Sequence, residues 1–229
     1  MTRRERWRAG TVLATLAIAS GCAPDPPVAI VGLSVNACDP GLEAGSGAIV
    51  APGIVLTSAH VVAGAESIAV RQPGTGVVVD GTIVGFDPIN DLAYVAVDDL
   101  IGQELQMATQ QAVSGDTGTA YVVRDGMVVA LPITIARPIN IRTEDIYIDA
   151  MTNRPGYELV ADIEPGDSGG VVLIDGEVIG IIWARSNLSA NRAYAIDAIA
   201  AAAAIDQQLS SGEIDTDANG VLIDLTRCY

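Results

Sequence analysis

The chain has 229 residues, 50% of them hydrophobic, which supplies a core for one large β domain or two small barrels sharing an interface and excludes a disordered protein. Its formal net charge is −16, and all 12 basic residues are arginine. A phosphate backbone needs a basic face, so nucleic acid is excluded as a partner and the acidity reads as a solvated surface.

Residues 1–21 have a composition of their own. Arg3, Arg4, Arg6 and Arg8 make a positive start, and Ala9 to Ser20 is an apolar stretch too short to span a hydrocarbon layer of about 30 Å. This is the pattern of an export signal. It ends in Ala19-Ser20-Gly21-Cys22, which is similar to a bacterial lipobox with Ala19 in the place of the usual leucine. On that reading Cys22 is lipidated, the proline-rich residues 22–27 are a tether, and the protein is anchored at a bacterial cell membrane through lipid alone. Ordinary cleavage after Ala19 or Gly21, giving a secreted protein, is the competing reading.

There are three cysteines, and an odd number in an exported protein needs a reason. With Cys22 lipidated, Cys38 and Cys228 remain as a pair for a disulfide that ties the start of the chain to its end. Two unrelated buried thiols are the alternative.

Short β-type runs punctuated by glycine and proline follow: Val28 to Val35, Gly47 to Ala51, Gly53 to Thr57, Ser67 to Arg71, Gly76 to Phe86 and Leu92 to Val97. After a more polar stretch, Asp98 to Thr117, comes a second set: Thr119 to Val123, Met127 to Ile135, Ile146 to Ala150, Tyr157 to Ala161, Val171 to Ile174 and Glu177 to Ala184. Two comparable sets predict an all-β fold of two antiparallel barrels, one over residues 28–110 and one over 111–211. The second ends in a closing C-terminal helix, about Ala198 to Leu209, alanine-rich and N-capped by Asp197. In the tail, residues 212–229, Asp215-Thr216-Asp217-Ala218-Asn219-Gly220 copies the first half of a calcium loop, but Thr226 stands where the bidentate glutamate belongs. A turn at Asn219-Gly220 explains the same residues, and no metal or cofactor is expected.

The only histidine, His60, lies in Thr57-Ser58-Ala59-His60, and a serine flanked by glycines lies in Gly166-Asp167-Ser168-Gly169-Gly170, with Asp91 between the two. A general base, a carboxylate and an activatable hydroxyl in that order are the parts of a serine nucleophile. A lone histidine, a turn aspartate or a glycine-rich loop is each ordinary; it is the combination that points to catalysis.

These blocks, with Asp87-Pro88-Ile89-Asn90-Asp91-Leu92-Ala93, resemble the three catalytic blocks of the chymotrypsin-like (trypsin-like) serine peptidases. The Asp-Pro-x-x-Asp-Leu-Ala block and Gly45-Ser46-Gly47 resemble the bacterial HtrA branch. The Pro52-Gly53 turn, His60-Val61-Val62-Ala63-Gly64 and a cysteine near each end resemble its MarP-like members. The likeness spans about Val28 to Cys228 and implies a serine endopeptidase acting on polypeptides, its site between two barrels. By this resemblance Ser168 attacks, His60 moves the proton, Asp91 orients the imidazole, and the amides of Gly166 and Ser168 bind the oxyanion. Family register selects Asp91 over Asp87.

The resemblance also places a substrate pocket at Asp162, Ile163, Trp183, Ala184 and Arg185. Asp162 stands where trypsins bind a basic side chain. However, no cysteine pair staples the pocket, and Arg185, where trypsins have glycine, either pairs with Asp162 or blocks the mouth. Ile163 favours a small or medium apolar side chain instead. Ile30-Val31-Gly32 imitates the new N-terminus of an activated trypsin, but reads more plainly as the first strand. The rival function is a catalytically silent envelope protein on the same fold that binds peptides or a protein partner.

Overall fold

The computed structural model describes residues 28–37, 42–100, 102–199, 202–203 and 225–227. Twelve strands and one short helix are assigned: β1 (Ile30–Asn36), β2 (Leu42–Ala51), β3 (Ile54–Thr57), α1 (Ala59–Val62), β4 (Ser67–Arg71), β5 (Val78–Asp87), β6 (Leu92–Val97), β7 (Thr117–Arg124), β8 (Met127–Glu144), β9 (Met151–Val160), β10 (Val171–Ile174), β11 (Glu177–Arg185) and β12 (Arg192–Asp197).

They close into two antiparallel barrels of six strands, in the orders β1-β2-β3-β6-β5-β4 and β10-β11-β12-β9-β8-β7. Closure removes the free sheet edges that alternating apolar strands would otherwise expose. The first barrel is filled by side chains such as Leu33, Val55, Leu56, Phe86 and Val95, and its core runs on into Tyr121, Val171, Ile181 and Ile196 of the second. A separate cluster built on Ile135, Tyr157, Leu159, Ile179 and Ile182 fills the rest of the second barrel. The connection between barrels is laced to both: the Leu105 amide donates to the Ile49 carbonyl, and Gln106 and Ala108 bond to Val178.

Two expectations need correction. Ile146 to Ala150 is not a strand but the turn between β8 and β9. The Asp145 carboxylate accepts from the amides of Tyr147, Asp149 and Ala150, so a local side chain takes the donors that a ladder would use. The strand character lies on either side, where β8 and β9 pair from Thr134 with Val160 as far as Glu144 with Met151. The closing helix is not among the assigned elements; Ala198–Ile199 and Ala202–Ala203 are helical, and the rest of its expected span lies outside the described residues. Residues 192–197, outside the expected β runs, form a strand that completes the second barrel. Asp197 does accept from the Ile199 amide, as a capping residue would.

Cys22, Cys38, Cys228, the signal and the Asp215 to Gly220 turn lie outside the described residues. Among the described residues no helix is long and apolar enough to cross a membrane.

Candidate active site

His60 is carried by α1, the single helical turn that follows β3, whose other residues Ala59, Val61 and Val62 are buried. Asp91 sits in the β5–β6 turn in the left-handed region, with φ of 60°, a conformation that aspartate tolerates better than most residues. The turn is built by Asp87, not by Asp91. Asp87 Oδ1 accepts from the amides of Ile89 and Asn90, both at 2.9 Å, and Oδ2 accepts from Asn90 Nδ2 at 2.6 Å.

Asp91 is thereby free to turn inward to His60. Its Oδ2 lies 2.7 Å from His60 Nδ1, and its Oδ1 accepts from the His60 amide at 2.8 Å. A carboxylate only accepts, so Nδ1 carries the proton and Nε2 is the basic nitrogen. Burial alone pushes the Asp91 carboxyl up; the charge and hydrogen bonds of His60, with the Arg154 guanidinium, more than offset this and hold it below its ordinary value.

Arg154, on β9, is a residue the sequence reading did not single out. Its side chain is 1% exposed, and Nη1 lies 4.0 Å from Asp91 Oδ2. Its Nε donates to the Ile89 carbonyl, and its Nη2 reaches the carbonyls of Pro88 and Glu144. The guanidinium lies over the Trp183 ring, 5.3 Å from its centroid. The long β8–β9 hairpin of the second barrel therefore grips the Asp91 turn of the first, reinforced by the Ile146 amide donating to the Pro88 carbonyl.

Ser168 lies between β9 and β10 and is half-buried. Its loop abuts the histidine segment. A methyl added at Gly169 would fall 2.3 Å from Thr57 Oγ1 and 3.1 Å from the Ser58 nitrogen, so nothing larger than glycine fits there. Gly169 also has φ of 81°. The Ser168 carbonyl accepts from the Ser46 amide at 2.8 Å. Along this loop the amides of Asp167, Gly169 and Gly170 bond to the carbonyls of Glu164, Ile182 and Asp167. The amides of Gly166 and Ser168 have no protein acceptor among the described residues. Two unused donors on either side of Asp167, with Gly166 at φ of 96°, are what a developing oxyanion requires.

The expected pocket residues separate. Ile163 is 5% exposed and packs with Ala161, Ile182 and Ala193. Asp162 is exposed, its carbonyl accepting from Arg124 Nη2. Arg185 is exposed too and forms no ion pair with Asp162. Ala184 is half-buried at the same edge of β11. Trp183, beside it, faces the other way. With Asp91, Tyr147, Ile148 and Arg154 it lines a cavity of about 320 Å³ on the aspartate side of the site.

Residues 45–181 match the model of the trypsin-like peptidase domain. Serine protease Rv3671c of Mycobacterium tuberculosis is 31% identical over 179 residues, 77% of this chain and 44% of that protein. A probable periplasmic serine endoprotease, DegP-like, of Marinomonas sp. is 33% identical over 193 residues, 78% of this chain and 38% of its own. The chain thus spans less than half the length of these curated relatives. Among solved structures, the active form of the Rv3671c protease matches with a TM-score of 0.74 at 26% identity, covering 88% of this chain and 86% of that one.

Proposed function

From the premise that the chain belongs to the family of trypsin-like peptidase domains, we propose that it is an exported serine endopeptidase whose triad is Ser168, His60 and Asp91. The observation that carries this is the 2.7 Å contact between His60 Nδ1 and a carboxylate that is 1% exposed. It fixes the tautomer in which Nε2 is a base.

The steps are those that such a triad performs. Ser168 Oγ attacks the scissile carbonyl carbon as its proton passes to His60 Nε2. Asp91 stabilises the imidazolium without taking the proton, and the amides of Gly166 and Ser168 bind the oxyanion. As the C–N bond breaks, His60 returns the proton to the leaving amine. Water then repeats the sequence on the acyl-enzyme, releasing the acid and restoring Ser168. No cofactor enters.

The substrate is a polypeptide with a small or medium apolar P1 residue. The buried, apolar surroundings of Ile163 support this, as does the exposure of Asp162, whose backbone is held by Arg124. The name of the DegP-like relative, which includes "periplasmic", supports export, with diacylglyceryl attachment at Cys22 and a Cys38–Cys228 disulfide in the oxidising compartment.

Labelling by a fluorophosphonate probe tests the reading. The wild type is expected to take up one probe per chain at Ser168 and to cleave peptides, and Ser168→Ala to do neither. Labelling elsewhere, or peptide cleavage retained in Ser168→Ala, would overturn it.

A further inference from the structure

Beside the triad stands a permanent charge that takes no part in the proton transfers. Arg154 and Asp91 are each 1% exposed, so water and salt screen their interaction little, and a guanidinium keeps its proton in a protein. At 4.0 Å from Asp91 Oδ2, Arg154 Nη1 is too far away to donate a hydrogen bond and does not displace His60 Nδ1, 2.7 Å from the same oxygen. Its influence on the pair is that of a charge.

The place of that charge is over-determined. Nε donates to the Ile89 carbonyl, Nη2 reaches the carbonyls of Pro88 and Glu144, and the guanidinium lies on the Trp183 ring. Pro88 and Ile89 belong to the turn that carries Asp91, so cation and anion cannot drift apart without unmaking it. The other charged and titratable groups on the surrounding elements are held elsewhere. In the same turn, Asp87 accepts from the Ile89 and Asn90 amides and the Asn90 side chain. On the β8–β9 hairpin, Asp145 accepts from the hairpin amides, Asp149 and the Tyr147 ring are covered by Arg227, and Glu144 is exposed. In the Ser168 loop, Asp167 and Glu164 pair with Arg124. Among the described residues, the cations within 4.0 Å of the Asp91 carboxylate are Arg154 and the imidazole itself once protonated.

Resting on the serine-peptidase reading, we propose that Arg154 is a positioning residue that sets the pH at which His60 becomes a base. Asp91 favours a charged imidazole. Arg154 has the sign of that imidazolium and faces the same carboxylate oxygen, so it opposes the charge that Asp91 invites. The ring therefore gives up its proton at a lower pH than the carboxylate alone would allow, and the neutral Nε2 that Ser168 needs is available further into the acid range. Against burial, the same cation joins His60 in keeping the Asp91 carboxyl ionised. Arg154 acts on the base through Asp91.

The test uses the full-length chain with the neutral variants Arg154→Gln and Arg154→Met and the charged variant Arg154→Lys. Because His60 is the only histidine, its ring-proton NMR signal reports its titration without ambiguity. Loss of the charge is expected to raise the midpoint by about one pH unit, and lysine to move it by less than about half of that. The acid limb of kcat/KM should move with it. Well below both midpoints, the neutral variants should lose about tenfold more of their own high-pH plateau than wild type does. A purely structural role would lower the plateau and leave the midpoint in place. A folded neutral variant with the wild-type midpoint would therefore overturn the proposal, as would a shift in Arg154→Lys equal to that in Arg154→Gln, or failure of both neutral variants to fold. A wild type that neither cleaves peptides nor labels at Ser168, while the midpoint still moves with the charge, would instead sink the underlying peptidase reading.

Discussion

Arg154 stands wholly inside the protein with its Nη1 4.0 Å from the carboxylate oxygen of Asp91 that holds His60. The cation comes from one barrel and the anion from the other, so one ion pair and the carbonyls of Ile89 and Pro88 tie the β8–β9 hairpin to the turn that orients the imidazole. Removing one partner of a buried pair leaves the other uncompensated.

Arg154→Met is therefore expected to lower stability by about 3 kcal/mol and to reduce kcat/KM of the molecules that still fold, because the Asp91 turn loses its donor. Urea unfolding together with peptide hydrolysis checks both. Unchanged stability would show that packing of the β8–β9 hairpin suffices without the charge.

Asp91→Asn keeps the shape of the carboxylate but presents an amide donor to Nδ1, which leaves the proton on Nε2. Loss of the correct tautomer is expected to cost about 10⁴-fold in kcat at neutral pH. A wild-type profile should rise with pH as a single imidazole proton is lost, within the range of about 5 to 8 where histidines titrate, since the chain has one histidine. Initial rates across that range decide it, a flat profile being the contrary outcome.

The acid side follows from the depressed Asp91 carboxyl. Because its folded value lies below 3.8, the unfolded chain takes up the proton first as pH falls. Its contribution to stability is fully present above the unfolded value and is lost as pH drops from about 3.8 through the lower folded one. Urea midpoints measured down to pH 2.5 should fall less steeply for Asp91→Asn than for wild type; parallel curves would contradict this.

A Cys38–Cys228 bridge is expected in the exported protein, supported by the described flanks of both residues. The Glu66 amide donates to the Asn36 carbonyl, and Leu225 and Thr226 line a recess with Ala65, Glu66 and Ser67. Arg227 stacks on the Tyr147 ring, 4.5 Å from its centroid, and bonds to Asp149. Replacing both cysteines by serine should lower stability by no more than about 5 kcal/mol without abolishing fluorophosphonate labelling. Intact mass with and without reductant reads the bridge directly, and two alkylatable thiols would exclude it.

Peptide libraries should be cleaved after small or medium apolar residues, since an apolar pocket separates neighbours by about 1 to 3 kcal/mol per methylene. Asp162→Ala should then leave the profile intact. Dominant cleavage after arginine or lysine, lost in Asp162→Ala, would reverse the choice.

Much of the architecture was legible in the chain because its signals are local. Glycine and proline punctuation marked most of the strands, and Asp87-Pro88 with its neighbours announced the turn that carries Asp91. His60 and Ser168 stood out by residue type and by the motifs around them. What no local pattern contained was decided by long-range pairing. Asp145 turned an apolar run into a hairpin tip, and residues 192–197 found their place as a strand only by pairing with β9 and β11. Arg124 and Arg154 look in sequence like any arginine in a β run, because the carboxylates and carbonyls that hold them are supplied by distant segments, and burial makes those pairings matter.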